Sequence, residues 1–375
     1  VNKFLRTVAK IFMLVTLTLL VTACGKEADN DYKIIDKVNH SRSLLYMSCT
    51  EEGLFYMAND QLLHYVTVST GEDMIYCFDP ICKHEPVSSD NPDSSCMAAG
   101  YVDKTRIAYH NSFVYFFVSD LFKHKIYKMD ISSGVRELVT ELPFDCEINC
   151  IVFEEDYVYY TAVIREEEED GINLKRTYDM VEVNLKDGKY RMITKLGEKI
   201  GCNNFLFDVF EQTLFVRTSG NYEYHFYVID LESLDIKYEL NNEEYKQRSF
   251  HGVYDCESYY YAANDGKEFG IYNITTGATN VLWEKGLERE SLSICYGAGG
   301  KMYYSLYNSE TKTIKDFLYD EANDTTWDLT QKCEELGIFF YDVYRGMFIR
   351  HLYDESGEDI IGKSVVSEAS ILGVQ

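Results

Sequence analysis

The sequence predicts an all-β fold, a seven-bladed β-propeller of four-stranded antiparallel blades. Three observations carry this reading. Short aromatic strands recur along the chain. Four of the six steps between them are 43 to 45 residues long. Most are followed by a strand that runs into an Asp, Asn, Ser or Gly turn. A period of about 40 to 50 residues with several strands per unit belongs to propeller blades.

Before the first blade, Lys3, Arg6 and Lys10 supply a positive start, Ile11 to Thr22 an apolar run, and Ala23-Cys24-Gly25 a small-residue ending. This is the layout of a secretory signal peptide over residues 1–23, and a run this short falls below the about 20 residues of a membrane-spanning helix. The stretch Val21-Thr22-Ala23-Cys24 resembles the bacterial lipobox. That resemblance implies a lipidated Cys24 as the first mature residue, anchored to the cell membrane on its extracytoplasmic face; the alternative is an ordinary signal peptide with an unmodified cysteine. Residues 24–31 read as a polar tether, and 32–375 as the propeller.

Charge narrows the partners. The full chain carries 36 basic and 62 acidic side chains; without residues 1–23, which hold three basic and no acidic ones, the balance is 33 against 62, a net of −29. Nucleic-acid binding depends on Lys and Arg neutralising phosphates, so no nucleic-acid partner is expected. With 46% hydrophobic and 15% aromatic residues the chain is folded rather than disordered.

The aromatic strands place Phe55, Tyr115, Tyr159, Phe215, Tyr260, Tyr303 and Phe348 at one equivalent position. Each unit then reads as a strand, a tight turn, the aromatic strand, a connection, a landmark strand such as "YKMDISSG" or "VEVNLKDG", a turn, and an outer strand such as "RELVTEL". Two steps are longer. The third unit contains "REEEEDGINLKR", Arg165 to Arg176, read as a solvated charged loop; an insertion over 77–100 follows blade 1. "LTQKCEEL", Leu329 to Leu336, is the best helical candidate. After Phe348 too few residues remain for a full unit, so "DYKIIDKV", Asp31 to Val38, is expected to complete the seventh blade. These units resemble the tyrosine-rich propeller repeats of lipid-anchored proteins from Gram-positive bacteria, over roughly residues 40 to 370. The resemblance implies architecture and anchoring rather than an activity.

No catalytic residue is assigned. "GAGGK", Gly297 to Lys301, lacks the Ser or Thr and the following helix of a phosphate loop and reads as a hairpin turn. "ANDTTWDL" matches the Asp-box of sialidase-like propellers only loosely. His-Glu-x-x-His and Gly-x-Ser-x-Gly are missing. The 32 tyrosines suit either glycan-facing surfaces or packing between blades, and their place in repeated strands favours packing. The expected function is a binding or scaffolding module for a protein or glycan at the propeller face. The alternative is a glycan-active hydrolase or lyase using carboxylates at the propeller mouth.

One stretch carries local chemistry: "YCFDPICKHEPVSSDNPDSSC", residues 76 to 96. Cys82 and His84 are two apart, so an extended chain would put both side chains on one side. Cys77, Cys82, His84 and Cys96 suit one tetrahedral zinc ion. Their spacing also resembles the Cys/His cluster of related propeller lipoproteins, although no Cys-x-x-Cys knuckle is present. A disulfide from Cys82 to Cys96 or Cys77 and a set of idle thiols are the competing readings.

Overall fold

The computed structural model describes residues 47–372 except 51, 89, 92–93, 101–104, 121–122, 145–147, 149–150, 168–173, 194–204, 221–222, 241–246, 256, 264, 285–289, 299, 339–342, 345–346 and 354–359. Blade 1 comprises β1 (Met47–Cys49), β2 (Gly53–Met57), β3 (Leu63–Thr67) and β4 (Asp73–Ile75). Blade 2 comprises β5 (Thr105–His110), β6 (Phe113–Asp120), β7 (Lys123–Asp130) and β8 (Arg136–Leu142). Blade 3 has β9 (Ile151–Glu154), β10 (Tyr157–Glu167), β11 (Leu174–Asn184) and β12 (Tyr190–Ile193). Blade 4 has β13 (Phe205–Phe210), β14 (Thr213–Gly220), β15 (Glu223–Asp230) and β16 (Ile236–Leu240). Blade 5 has β17 (Arg248–Val253), β18 (Ser258–Ala263), β19 (Glu268–Asn273) and β20 (Thr279–Glu284). Blade 6 has β21 (Glu290–Ala298), β22 (Lys301–Asn308), β23 (Thr313–Asp320) and β24 (Thr325–Asp328), followed by α1 (Thr330–Leu336). The last sheet holds β25 (Val343–Tyr344), β26 (Met347–Tyr353) and β27 (Ile360–Ser367), followed by α2 (Glu368–Leu372).

Every sheet is an antiparallel meander with strands in chain order. The expectation of seven four-stranded blades is corrected to six, with a three-stranded sheet in the last position among the described residues. The segment expected to complete it, 31–38, lies outside the described residues, as do the expected leader over 1–23, the expected tether over 24–31 and Cys24. The chain after β27 forms α2 instead of an outer strand. Ile371 is buried with Tyr303, Leu318 and Phe348, while Glu368 accepts from Lys301 and the Tyr303 hydroxyl. No helix among the described residues is long and apolar enough to cross a membrane.

The seven repeated aromatic residues all lie on the second strand of their sheets and are buried. They build cores between blades rather than within them. Phe226 of blade 4 packs with Phe250 and Tyr259 of blade 5; Phe269 of blade 5 packs with Tyr304 of blade 6. Ile349 and Val365 of the last sheet pack with Met47, Leu54 and Val66 of blade 1, which closes the ring. Tyrosine serves here because its tip finds a partner while its ring is buried. The Gly300 N–H donates to the Tyr260 hydroxyl (2.8 Å), and the Tyr259 hydroxyl donates to Asp208. On the outer strands, Trp283 stacks on Phe269 at 5.4 Å and Trp327 packs against the core between blade 6 and the last sheet.

The landmark motif is an Asx turn repeated around the ring. Asp130 accepts from the N–H groups of Ser132 and Ser133, Asn184 from Lys186, Asp230 from Glu232 and Ser233, and Asn273 from Thr276. The chain then reverses through a left-handed residue: Gly71, Gly134, Gly188 and Gly277, with Leu234 in that place in blade 4. "GAGGK" forms the β21–β22 hairpin as read. The charged run from Arg165 departs from the expected loop. The β10–β11 ladder continues to Glu167 opposite Leu174, because backbone pairing can lengthen a hairpin whatever its side chains are.

Candidate metal centre

The loop begins where β4 ends. Tyr76 remains attached to blade 1 through its N–H, which donates to the Leu63 carbonyl (2.8 Å). Its hydroxyl crosses to blade 2 and donates to the Ile131 carbonyl (2.6 Å). Asp79 and Pro80 then form a tight turn: the Cys82 N–H donates to the Asp79 carbonyl (3.1 Å) and the Ile81 N–H to Asp79 Oδ1 (3.0 Å). Cys77 and Cys82 therefore flank a turn, which brings their sulfurs together.

His84 joins them by a route that sequence spacing missed. Its backbone is left-handed, at φ +56, rather than extended, and its N–H points at Cys82 Sγ (3.4 Å). N–H···S bonds of this kind orient a sulfur ligand and stabilise its negative charge. Cys96 returns from the other side. Ser94 ties the return to the outgoing chain through the Glu85 carbonyl (2.6 Å), and the next residues feed the core between blades 1 and 2, where Cys96, Ala98 and Ala99 are buried. The Leu63 N–H donates to the Ala98 carbonyl (2.8 Å), which locks the return against β3. The end of the loop therefore belongs to the core between blades 1 and 2.

Cys77 Sγ, Cys82 Sγ, a ring nitrogen of His84 and Cys96 Sγ all lie within 4.8 Å of one another, and His84 Nδ1 is 3.9 Å from Cys96 Sγ. A tetrahedral zinc with Zn–S about 2.3 Å and Zn–N about 2.0 Å separates its ligand atoms by about 3.5–3.8 Å. The group fits one metal ion. Cys49, Cys77, Cys82, Cys96 and Cys333 are free thiols, so the disulfides considered for Cys82 are not formed. Burial first, then the neighbouring Cys82 and Cys77, push the Cys96 thiol up to about 12, opposed by the Ala98 N–H. A bound cation would reverse that balance, since coordination deprotonates a thiol outright.

Residues on blade 2 that support the loop were not singled out by sequence. Gly134 sits under it: a β-carbon there would stand 2.5 Å from Met97 Sδ and 3.0 Å from Phe78 Cδ2. Arg136 donates to the Ala99 carbonyl (2.6 Å) and lies over the rings of Phe116 (4.0 Å) and Tyr127 (4.8 Å). Its charge would have marked it as a surface residue.

The fold, but no function, has likenesses among known proteins. No family model matches the chain, and no curated protein matches it. Among solved structures, dipeptidyl peptidase 4 from Porphyromonas gingivalis is 12% identical at a TM-score of 0.48, covering 90% of this chain and 58% of that one. Oligogalacturonate lyase in complex with manganese is 11% identical at 0.45, covering 83% and 84%. TolB from Acinetobacter baumannii is 12% identical at 0.35, covering 71% and 63%. The chain thus spans less than two thirds of the peptidase and of TolB. At these identities none of their activities transfers, and the architecture rests on the sheet topology itself.

Proposed function

We propose that this chain is a lipid-anchored, extracytoplasmic propeller that acts as a binding or scaffolding module, with a structural zinc ion fixing one of its outer loops. The convergence of Cys77, Cys82, His84 and Cys96 carries the reading. Four protein ligands of this type leave no open position for water or substrate, which is the composition of structural rather than catalytic zinc. The ion would supply two things: charge to balance the sulfurs, and a cross-link for a loop with little core. That loop joins blade 1 to blade 2, so holding it holds the joint. The anchor reading rests on Lys3, Arg6, Lys10, the apolar run and Cys24. The acidic balance supports a cationic or neutral protein or glycan as partner and disfavours nucleic acid.

Two measurements test this. Purified protein should hold about one zinc by mass spectrometry, and His84→Ala should lower that occupancy at least about tenfold under a competing chelator. Metal-free protein with Cys77, Cys82 and Cys96 oxidised would overturn it. Membrane fractions should release the chain only with detergent, and Cys24→Ser should free it or block its processing. A soluble wild-type chain with unmodified Cys24 removes the anchor.

A further inference from the structure

Large apolar side chains are exposed around this loop. Phe78 is 48% exposed and Ile81 87% on the loop, with Val135 at 63% and Leu138 at 52% on the adjoining turn and outer strand of blade 2. Phe78 Cδ2 lies over Gly134, the residue before Val135, and Ile81 is the apex of the turn that starts at Asp79. Gly134 and Leu138 in turn line an open cavity of about 540 Å³, together with Ser94, Cys96, Met97, Tyr127 and Arg136. Isolated apolar residues on a surface need no explanation, whereas a contiguous patch beside an open groove marks an interaction site.

We propose that this rim between blades 1 and 2 docks a cationic amphipathic segment of a protein partner. The proposal rests on the binding-module reading and names the surface and its ligand chemistry. Ile81 is held out by the Asp79 turn rather than by a flexible chain, so little entropy is lost when it is buried. The groove has room for an apolar anchor from the partner, the usual form of an interface hot spot. Charge selects the partner. The loop exposes Asp79, Glu85 and Asp90 against Lys83, and Arg136 is committed to Ala99 and two rings. A second copy of this chain, with its formal net charge of −26, would meet like charge, and so would an anionic bilayer.

The test uses detergent-solubilised full-length chain and two labelled peptides of about 18 residues. Both have one Leu/Lys composition: one segregates leucine onto a single helical face, and the other is scrambled. The wild type should bind the amphipathic isomer at least about tenfold tighter. Phe78→Ser with Ile81→Ser should abolish that preference, as should Val135→Ser with Leu138→Ser from the other blade. Val281→Ser with Ile314→Ser, at exposed apolar positions elsewhere, should keep it. Equal binding of both isomers, equal loss in all three double variants, or uptake by phosphatidylcholine vesicles that Phe78→Ser with Ile81→Ser removes while the Cys24 anchor is intact would each overturn the proposal. Zinc measured in the same samples separates the two readings: none of these substitutions replaces a proposed ligand, and the Val135 and Leu138 pair lies away from Cys77 and Cys82 in sequence.

Discussion

His84 shows how much one residue's backbone decides. Two apart from Cys82, it was expected to share a side with that residue through extended geometry; the structure brings them together through a left-handed turn instead. The ligand set was legible because Cys and His stand out in any sequence, but the turn was not, because several residue types tolerate that conformation. His124 is the opposite case, a lone histidine with no sequence signal. It is fully buried near the start of β7, with its ring 5.3 Å from Tyr160 and 6.2 Å from Phe117. Burial lowers its pKa from 6.5 to about 3. A folded-state value below the unfolded one gives stability that is complete above pH 6.5 and lost as the pH falls. Its share of that loss is about 2 kcal/mol by pH 5. His124→Phe should therefore lose about 2 kcal/mol less than wild type between pH 7 and 5 in urea titrations. Parallel acid limbs for the two proteins would exclude His124 as a source.

The Asx turns were the most legible elements, since Asp or Asn followed by Gly writes hydrogen bonding and backbone sign into adjacent letters. Their surroundings were not written there. Gly71 is left-handed with nothing within 4 Å of an added β-carbon, whereas one on Gly188 would stand 2.3 Å from the Val139 carbonyl oxygen in blade 2. Gly71→Ala should cost about 1 kcal/mol, the left-handed penalty alone. Gly188→Ala should cost about 2–4 kcal/mol, because a backbone oxygen must also move. Equal denaturation midpoints would show that the junction between blades 2 and 3 yields freely. The same limit hid the end of the chain. Nothing in "ASILGVQ" announces a helix, and α2 forms where Ile371 and Glu368 meet blade 6, some 65 residues earlier in sequence.

At the scale of the molecule, the 43- to 45-residue period was sufficient for the ring because each repeat is too small to bury its own aromatic strand. The period did not reveal that the last sheet has three described strands, since closure depends on contacts between the two ends of the chain. With a core at every blade junction, damage at one junction should reach all of them. Ile371→Ala should lower global stability by about 2–4 kcal/mol within a single unfolding transition seen alike by calorimetry and circular dichroism. A separate early transition would assign α2 to a subunit that melts alone. The two tryptophans of the chain, Trp283 and Trp327, stand on the outer strands of blades 5 and 6, packed against the cores that join blade 5 to blade 6 and blade 6 to the last sheet. Indole emission is thus a gauge of one arc of the ring, with no chromophore of its kind near Cys77 to Cys96. A change in that emission when a chelator strips the loop would be a signal carried through the blades, and a silent spectrum would mean that strain at the loop stays there.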